Sequence, residues 1–223
     1  RRVEPARGGA QQRLHAVRRV RRREVDAHAV GRDREVARLA DQRAQHRALV
    51  DEVATSHKLY NLYAQLSTVP AAWPRGFPLD AIKDNRTRNA SFAKRTWPAR
   101  RVGVVQSLAD HDPDVDGIYR LTQPLPFRFP PETARNLVAE GRRLAGRRLA
   151  GSMSTVSLRR GTMMPYNAQA TLHAYDALWG LLLPCTVHGR VTDIWRAYFT
   201  QRLLWDIDYR IAFATPWVTQ YRN

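Results

Sequence analysis

Every aromatic side chain of this 223-residue chain lies after residue 50, and that decides where a core can be built. The first fifty residues use ten amino-acid types, and Phe, Tyr, Met, Ile, Asn and Lys are among those missing. Fourteen arginines there face six acids, Glu4, Glu24, Asp26, Asp33, Glu35 and Asp41, so this stretch supplies +8 of the net charge of +17. High charge with little apolar surface leaves nothing to offset the entropy of ordering. The missing residue types are those of A/T-rich codons, so three readings stay open for this segment. It is a GC-rich coding sequence read in a wrong frame, a disordered basic tail, or an amphipathic helix. The expected division is therefore a disordered or non-native Arg/Ala-rich segment over residues 1–55 and a folded domain over 56–223.

A net charge of +17 and a pI near 11.2 ordinarily suggest an anionic partner. Here nearly half the charge sits where no fold is expected, so an Arg-rich nucleic-acid binder is the third-ranked reading and no specific nucleic acid is expected. The single cysteine, Cys185, excludes an intrachain disulfide. The longest uncharged apolar run, Ala177 to Val187, is too short to span a bilayer. A membrane anchor, if the natural protein has one, is expected outside this chain.

Past residue 56 the pattern alternates between strands and helices, which indicates an α/β or α+β domain. Trp73 to Pro78 reads as a turn-rich loop, because two prolines forbid a helix interior and Gly76 frees the backbone. Arg101 to Leu108 reads as a strand, Ile118 to Leu121 as a short extended piece, and Pro124 to Pro131 as a connection. A duplicated Arg-Arg-Leu-Ala-Gly at 142–151 is too short a repeat for a solenoid. Met153 to Leu158 and Arg210 to Ala214 read as strands, the latter ended by Pro216. Leu172 to Trp179 reads as a short helix and Thr192 to Ile207 as a longer one. In the latter, Trp195, Phe199 and Leu203 recur at helical spacing, with Arg196 and Arg202 on other faces. The aromatics of this last third are expected in the core rather than on a base-stacking surface.

Few motifs carry chemistry. Asp112-Pro-Asp-Val-Asp-Gly117 opens like a calcium loop, but Gln123 stands where the bidentate Glu belongs. A turn with Asp side chains on its own backbone, or a sugar contact, remains. His173, Cys185, His188 and Asp193 lack zinc-ligand spacing, and no nucleophile elbow or phosphate loop occurs. Thr192-Asp193 opens the long helix, so Asp193 is either a capping acid or a carboxylate held at a pocket mouth. Asn85-Arg-Thr87 and Asn89-Ala-Ser91 are two acceptor patterns for N-glycosylation.

Several longer blocks match a known family in order. Trp73-Pro-Arg-Gly-Phe-Pro-Leu-Asp-Ala-Ile-Lys-Asp-Asn85, Val104 to Thr122, Met164-Pro-Tyr-Asn-Ala-Gln169 and Leu178 to Asp206 resemble the STELLO-type Golgi glycosyltransferase-like proteins. More distantly, Gly189 to Trp195 is similar to a stretch of the reversibly glycosylated polypeptides, the UDP-arabinopyranose mutases. The resemblance covers about residues 70–223. It implies a GT-A-like glycosyltransferase domain in the Golgi lumen, acting on a nucleotide sugar, UDP-linked, and a carbohydrate acceptor. It also implies a divalent metal, Mn or Mg, for the complete domain.

By position, Asp193 is the candidate acceptor-side base. Substrate contacts are expected from His188, Arg190, Trp195, Asn167, Asp114, Asp116 and Arg120, and no residue of this chain is assigned to metal. The family's acidic metal motif should precede the Trp73 block, and no Asp-x-Asp occurs there. The expectation is thus a partial α/β, GT-A-like domain, its acceptor-side half, inactive as this fragment. The alternative is a non-catalytic partner of a polysaccharide synthase complex.

Overall fold

The structure is a computed structural model and describes residues 49–55, 57–88, 91–133 and 155–221. The chain divides into two units between His46 and Arg47, the second being Arg47–Asn223. Residues 1–48 lie outside the described residues, and with them most of the expected N-terminal segment. So does the duplication at 142–151. Everything below concerns the second unit.

Its centre is a six-stranded mixed sheet. The strands are β1 (Leu49–Ala54), β2 (Ser91–Pro98), β3 (Val102–His111), β4 (Thr155–Leu158), β5 (Thr171–His173) and β6 (Arg210–Gln220), in the spatial order β2-β1-β4-β6-β3-β5. The pairs β1/β4 and β3/β6 are parallel, whereas β1/β2, β4/β6 and β3/β5 are antiparallel. Among the described residues three α-helices, α1 (Leu62–Leu66), α2 (Gly117–Thr122) and α3 (Thr192–Leu204), complete a mixed α/β architecture. It is consistent with the partial GT-A-like domain that the resemblance implies. Because β1 pairs on both sides, the sheet begins before residue 56: Val50 and Val53 are buried between β2 and β4.

Four local expectations change. Ile118 to Leu121 is helical, not extended. Asp116 accepts from the Tyr119 backbone N–H at 2.7 Å and so caps α2, which turns Tyr119 inward against Trp73 and Phe127. Thr171–His173 is a strand on β3, and only Tyr175–Leu181 beyond it is helical, of the tighter 3₁₀ kind. Pro216 does not end β6. Between Ala214 and Val218 the strand bulges against Ser107 and Ala109, which accommodates a residue without an N–H.

The fourth change concerns α3. Trp195, Phe199 and Leu203 are 46, 49 and 50% exposed, and the buried face is Arg196, Ala197, Thr200, Gln201 and Leu204. The reason is close backbone approach. A Cβ on Gly180 would stand 2.6 Å from Thr200 Cγ2, and one on Gly103 would stand 2.8 Å from Leu204 Cδ2. No indole or phenyl ring fits in such a contact, so the bulky stripe faces away. Gln201 then clamps the helix, donating to Met164 O at 2.7 Å and accepting from Met164 N at 3.1 Å.

The core that positions the loops is aromatic. Tyr63 and Phe129 meet edge-on at 4.8 Å between centroids, as do Trp73 and Tyr119, and Phe127 bridges the two pairs. Burial pushes the Tyr119 phenol up to about 12 and also raises Tyr60 and Tyr198. An unfolded tyrosine ionises near about pH 10, so above that pH the unfolded chain loses protons that the folded one retains. Stability is intact below about pH 10 and falls as pH rises towards about 12. Tyrosinate absorbance should therefore rise together with loss of the circular dichroism signal. Ionisation of all eight tyrosines in a still-folded protein would contradict this.

Candidate functional site

The Trp73–Phe77 turn, the Asp112–Leu121 segment and the start of α3 converge on one cleft of about 900 Å³. Arg75 joins them. Its Nε donates to Asp114 Oδ2 at 2.8 Å, its Nη1 to Arg190 O at 2.9 Å, and its Nη2 to Asp193 Oδ2. The Arg75 backbone N–H donates to Asp114 O at 3.0 Å. Burial works against this guanidinium's charge. The hydrogen bond and charge of Asp114, then those of Asp193, more than offset it and hold Arg75 above its ordinary value.

Gly76 supplies the left-handed backbone of the turn, with φ of 82°, and lets Ile194 approach. A Cβ there would stand 2.5 Å from Ile194 Cγ2. The Gly76 carbonyl also accepts from Tyr198 Oη at 3.0 Å. Trp73 Nε1 donates to Asp116 Oδ2 at 2.7 Å, so both oxygens of Asp116 are engaged. Arg120 donates to Asp112 Oδ1 at 2.6 Å.

Of the residues singled out in the sequence, Asp193, Arg190, Asp114, Asp116 and Arg120 all line this cleft. His188, Trp195 and Asn167 do not. His188 is exposed, and its Nδ1 accepts from Arg190 N at 3.2 Å. Trp195 stacks on Phe199 at 5.5 Å along the outer face of α3. Asn167 braces its own turn, accepting from Gln169 N at 2.8 Å. Asp193 is not the helix cap: α3 begins at Thr192, the cap position is Val191, and no side chain bonds there. Asp193 lies in the first turn, where the helix dipole favours an acid.

Arg75 was missed as a site residue although it lies within a matched block. The signal for it was indirect: an Arg in a Pro- and Gly-bounded turn, with acids two segments away and no basic partner beside them in sequence.

The cleft presents three carboxylates, Asp114, Asp116 and Asp193, and three guanidinium groups, Arg75, Arg120 and Arg190. This balance decides what it can hold. A diphosphate needs net positive charge or a metal ion, whereas the hydroxyls of a sugar both donate and accept and suit alternating acids and arginines. Nor does the donor set fit a divalent ion. Arg75 spans two of the carboxylates, and the third is taken by Trp73 and the Tyr119 N–H. Among the described residues no three His, Cys, Asp or Glu side chains group to hold a metal. Among them, too, no helix is long and apolar enough to cross a membrane.

No family model matches the chain. Two plant proteins of Arabidopsis thaliana do. "Probable glycosyltransferase STELLO2" is 28% identical over 156 residues, which is 68% of this chain and 17% of that protein. "Probable glycosyltransferase STELLO1" is 27% identical over 151 residues, 66% of this chain and again 17% of the relative. The matched stretch thus spans about a sixth of the length of these relatives. Over two thirds of its length the chain is STELLO-like, related in sequence to proteins named as glycosyltransferases.

Proposed function

We propose that the Arg75–Asp114–Asp193 cleft binds the carbohydrate acceptor in a glycosyltransferase-family protein of the secretory pathway. The observation that carries this is the convergence, on one charge-balanced cleft, of three segments far apart in sequence that belong to the blocks of family resemblance. In this reading Asp193 takes the acceptor proton, while Arg75 and Arg190 orient hydroxyls at the rim. The donor is a nucleotide sugar, UDP-linked. The donor site and its Mn or Mg ion belong to residues other than those of this cleft, so this chain alone does not turn over. A Golgi-lumenal location accords with Asn85, an exposed acceptor Asn in a glycosylation triplet.

The test is titration of the 223-residue chain, followed by amide chemical shifts, with neutral oligosaccharides and separately with UDP plus Mn²⁺. Saccharides should perturb residues 75–77, 114–118 and 190–194, and UDP should leave them unmoved. Perturbation of these residues by UDP, with no response to any saccharide, would overturn the assignment.

A second reading has its own support. Asp193 Oδ2 is held by Arg75 and Oδ1 accepts from Ile194 N at 3.1 Å, so the carboxylate already fastens the helix to the loop. This favours a non-catalytic member of a polysaccharide synthase complex, in which the cleft holds sugar without chemistry.

A further inference from the structure

The cleft has two unlike walls. Arg75, Asp114, Arg190 and Asp193 make the polar one. The other comes from α2 and from Leu79, at the start of the 3₁₀ turn Leu79–Ala81, and it lines the same cavity. The Asp116 cap and the burial of Tyr119 fix how α2 is turned. Ile118 and Leu121, three residues apart, therefore share its outer face. They are 48 and 87% exposed, and Leu79 is 54% exposed. One exposed leucine needs no explanation. Three aliphatic side chains from two segments, continuous with a polar site in one cavity, belong to what the site binds.

The polar groups of this second wall are already engaged within the protein. Asp116 accepts from Trp73 Nε1 and from the Tyr119 N–H, and Arg120 donates to Asp112 Oδ1 and to Pro113 O at 3.4 Å. What the wall turns to a ligand is chiefly hydrocarbon. An oligosaccharide laid along the whole cleft would press hydroxyls against it and leave them short of partners, which is costly. An aromatic ring relieves that cost by stacking on the apolar face of a sugar. Among the described residues that line the cleft, however, Phe77 is the one aromatic, and it is 2% exposed. At about 900 Å³ the cleft lies near the upper end of ligand pockets and has room for more than one sugar ring.

We infer that the acceptor is a glycolipid: its sugar meets the Arg75–Asp114–Asp193 wall, and its alkyl chain lies against Leu79, Ile118 and Leu121. This rests on the acceptor reading of the cleft and narrows it to one substrate class. The alkyl chain carries much of the affinity. Each buried methylene is worth about fourfold, whereas the sugar hydroxyls mostly exchange water for protein partners.

The test uses the 223-residue chain and amide and methyl chemical shifts. The probes, below micelle-forming concentration, are methyl and octyl β-glucoside, the same pair of β-galactosides, and octan-1-ol. For at least one sugar the octyl glycoside should bind roughly tenfold or more tightly than the methyl one, as two buried methylenes require. It should also bind more tightly than octan-1-ol, because the sugar is part of the recognition. The double variant Leu79→Ser/Leu121→Ser, at two exposed positions, should bring the octyl and methyl glycosides to within about twofold of each other. Should that variant fail to fold, the methyl resonances of Leu79, Ile118 and Leu121 in the unaltered chain decide. They shift with the octyl glycoside and not with the methyl one. Equal binding of the octyl and methyl glycosides overturns the glycolipid assignment and leaves the acceptor reading standing. An octyl preference that survives the double variant, or octan-1-ol binding as tightly as the octyl glycoside, does the same. If no glycoside of either kind moves residues 75–77 and 190–194, the acceptor reading fails and the glycolipid assignment falls with it.

Discussion

Replacing Arg75 by Met should lower unfolding stability by about 3 kcal/mol, the scale for removing one partner of a largely buried ion pair. Arg75 is one-quarter exposed, which places the effect at the lower end of that range, but Asp114 is buried beneath it. Without the guanidinium, the buried Asp114 carboxylate loses its Arg75 hydrogen bond, Asp193 loses its Arg75 partner, and the Arg190 carbonyl loses a donor. Urea denaturation should show the midpoint shift with an unchanged slope. A second change, Asp114→Asn, removes the charge that Arg75 offsets and should restore part of the loss, which a double-mutant cycle measures. A loss below about 1 kcal/mol would mean that the triad behaves like an ordinary surface pair and does not hold the cleft together.

In a polypeptide extended to the length of its relatives, Asp193→Asn should reduce sugar-nucleotide turnover by roughly 10²-fold or more, the scale for losing a positioned general base. Asn is close in shape and can still accept from Arg75, which also retains Asp114. The melting temperature should therefore change little. This combination separates the two readings of the cleft. Turnover retained in the Asn variant takes Asp193 out of the chemistry, and no turnover in either polypeptide leaves the non-catalytic partner. Turnover lost with stability intact places the carboxylate in the reaction. The measurement also tests Arg75 indirectly, because a base must release Arg75 or share it as the acceptor arrives.

What the sequence by itself determined is what local rules decide. Val102, Val104 and Val105 mark a strand, Pro74, Gly76 and Pro78 compel a turn, and the spacing from Thr192 onward is helical. Asp114, Asp116, Arg120, Arg190 and Asp193, all in long matched blocks, were singled out and line the cleft, whereas Arg75, in a matched block too, was not. Tertiary structure decided the rest, because those outcomes depend on distances between remote segments. The inward face of α3 could not be read from its own letters: Gly103 and Gly180 let two backbones come so close that Trp195, Phe199 and Leu203 had to turn outward. The strand at Leu49–Ala54 exists because β2 and β4 satisfy both its edges. The bulge at Pro216 exists because Ser107 and Ala109 lie opposite. Arg75, 39 residues from Asp114 and 118 from Asp193 along the chain, became a site residue only when the fold brought three charges into contact. A charge carries no record in sequence of the partner it will meet, and that pairing is settled by packing alone.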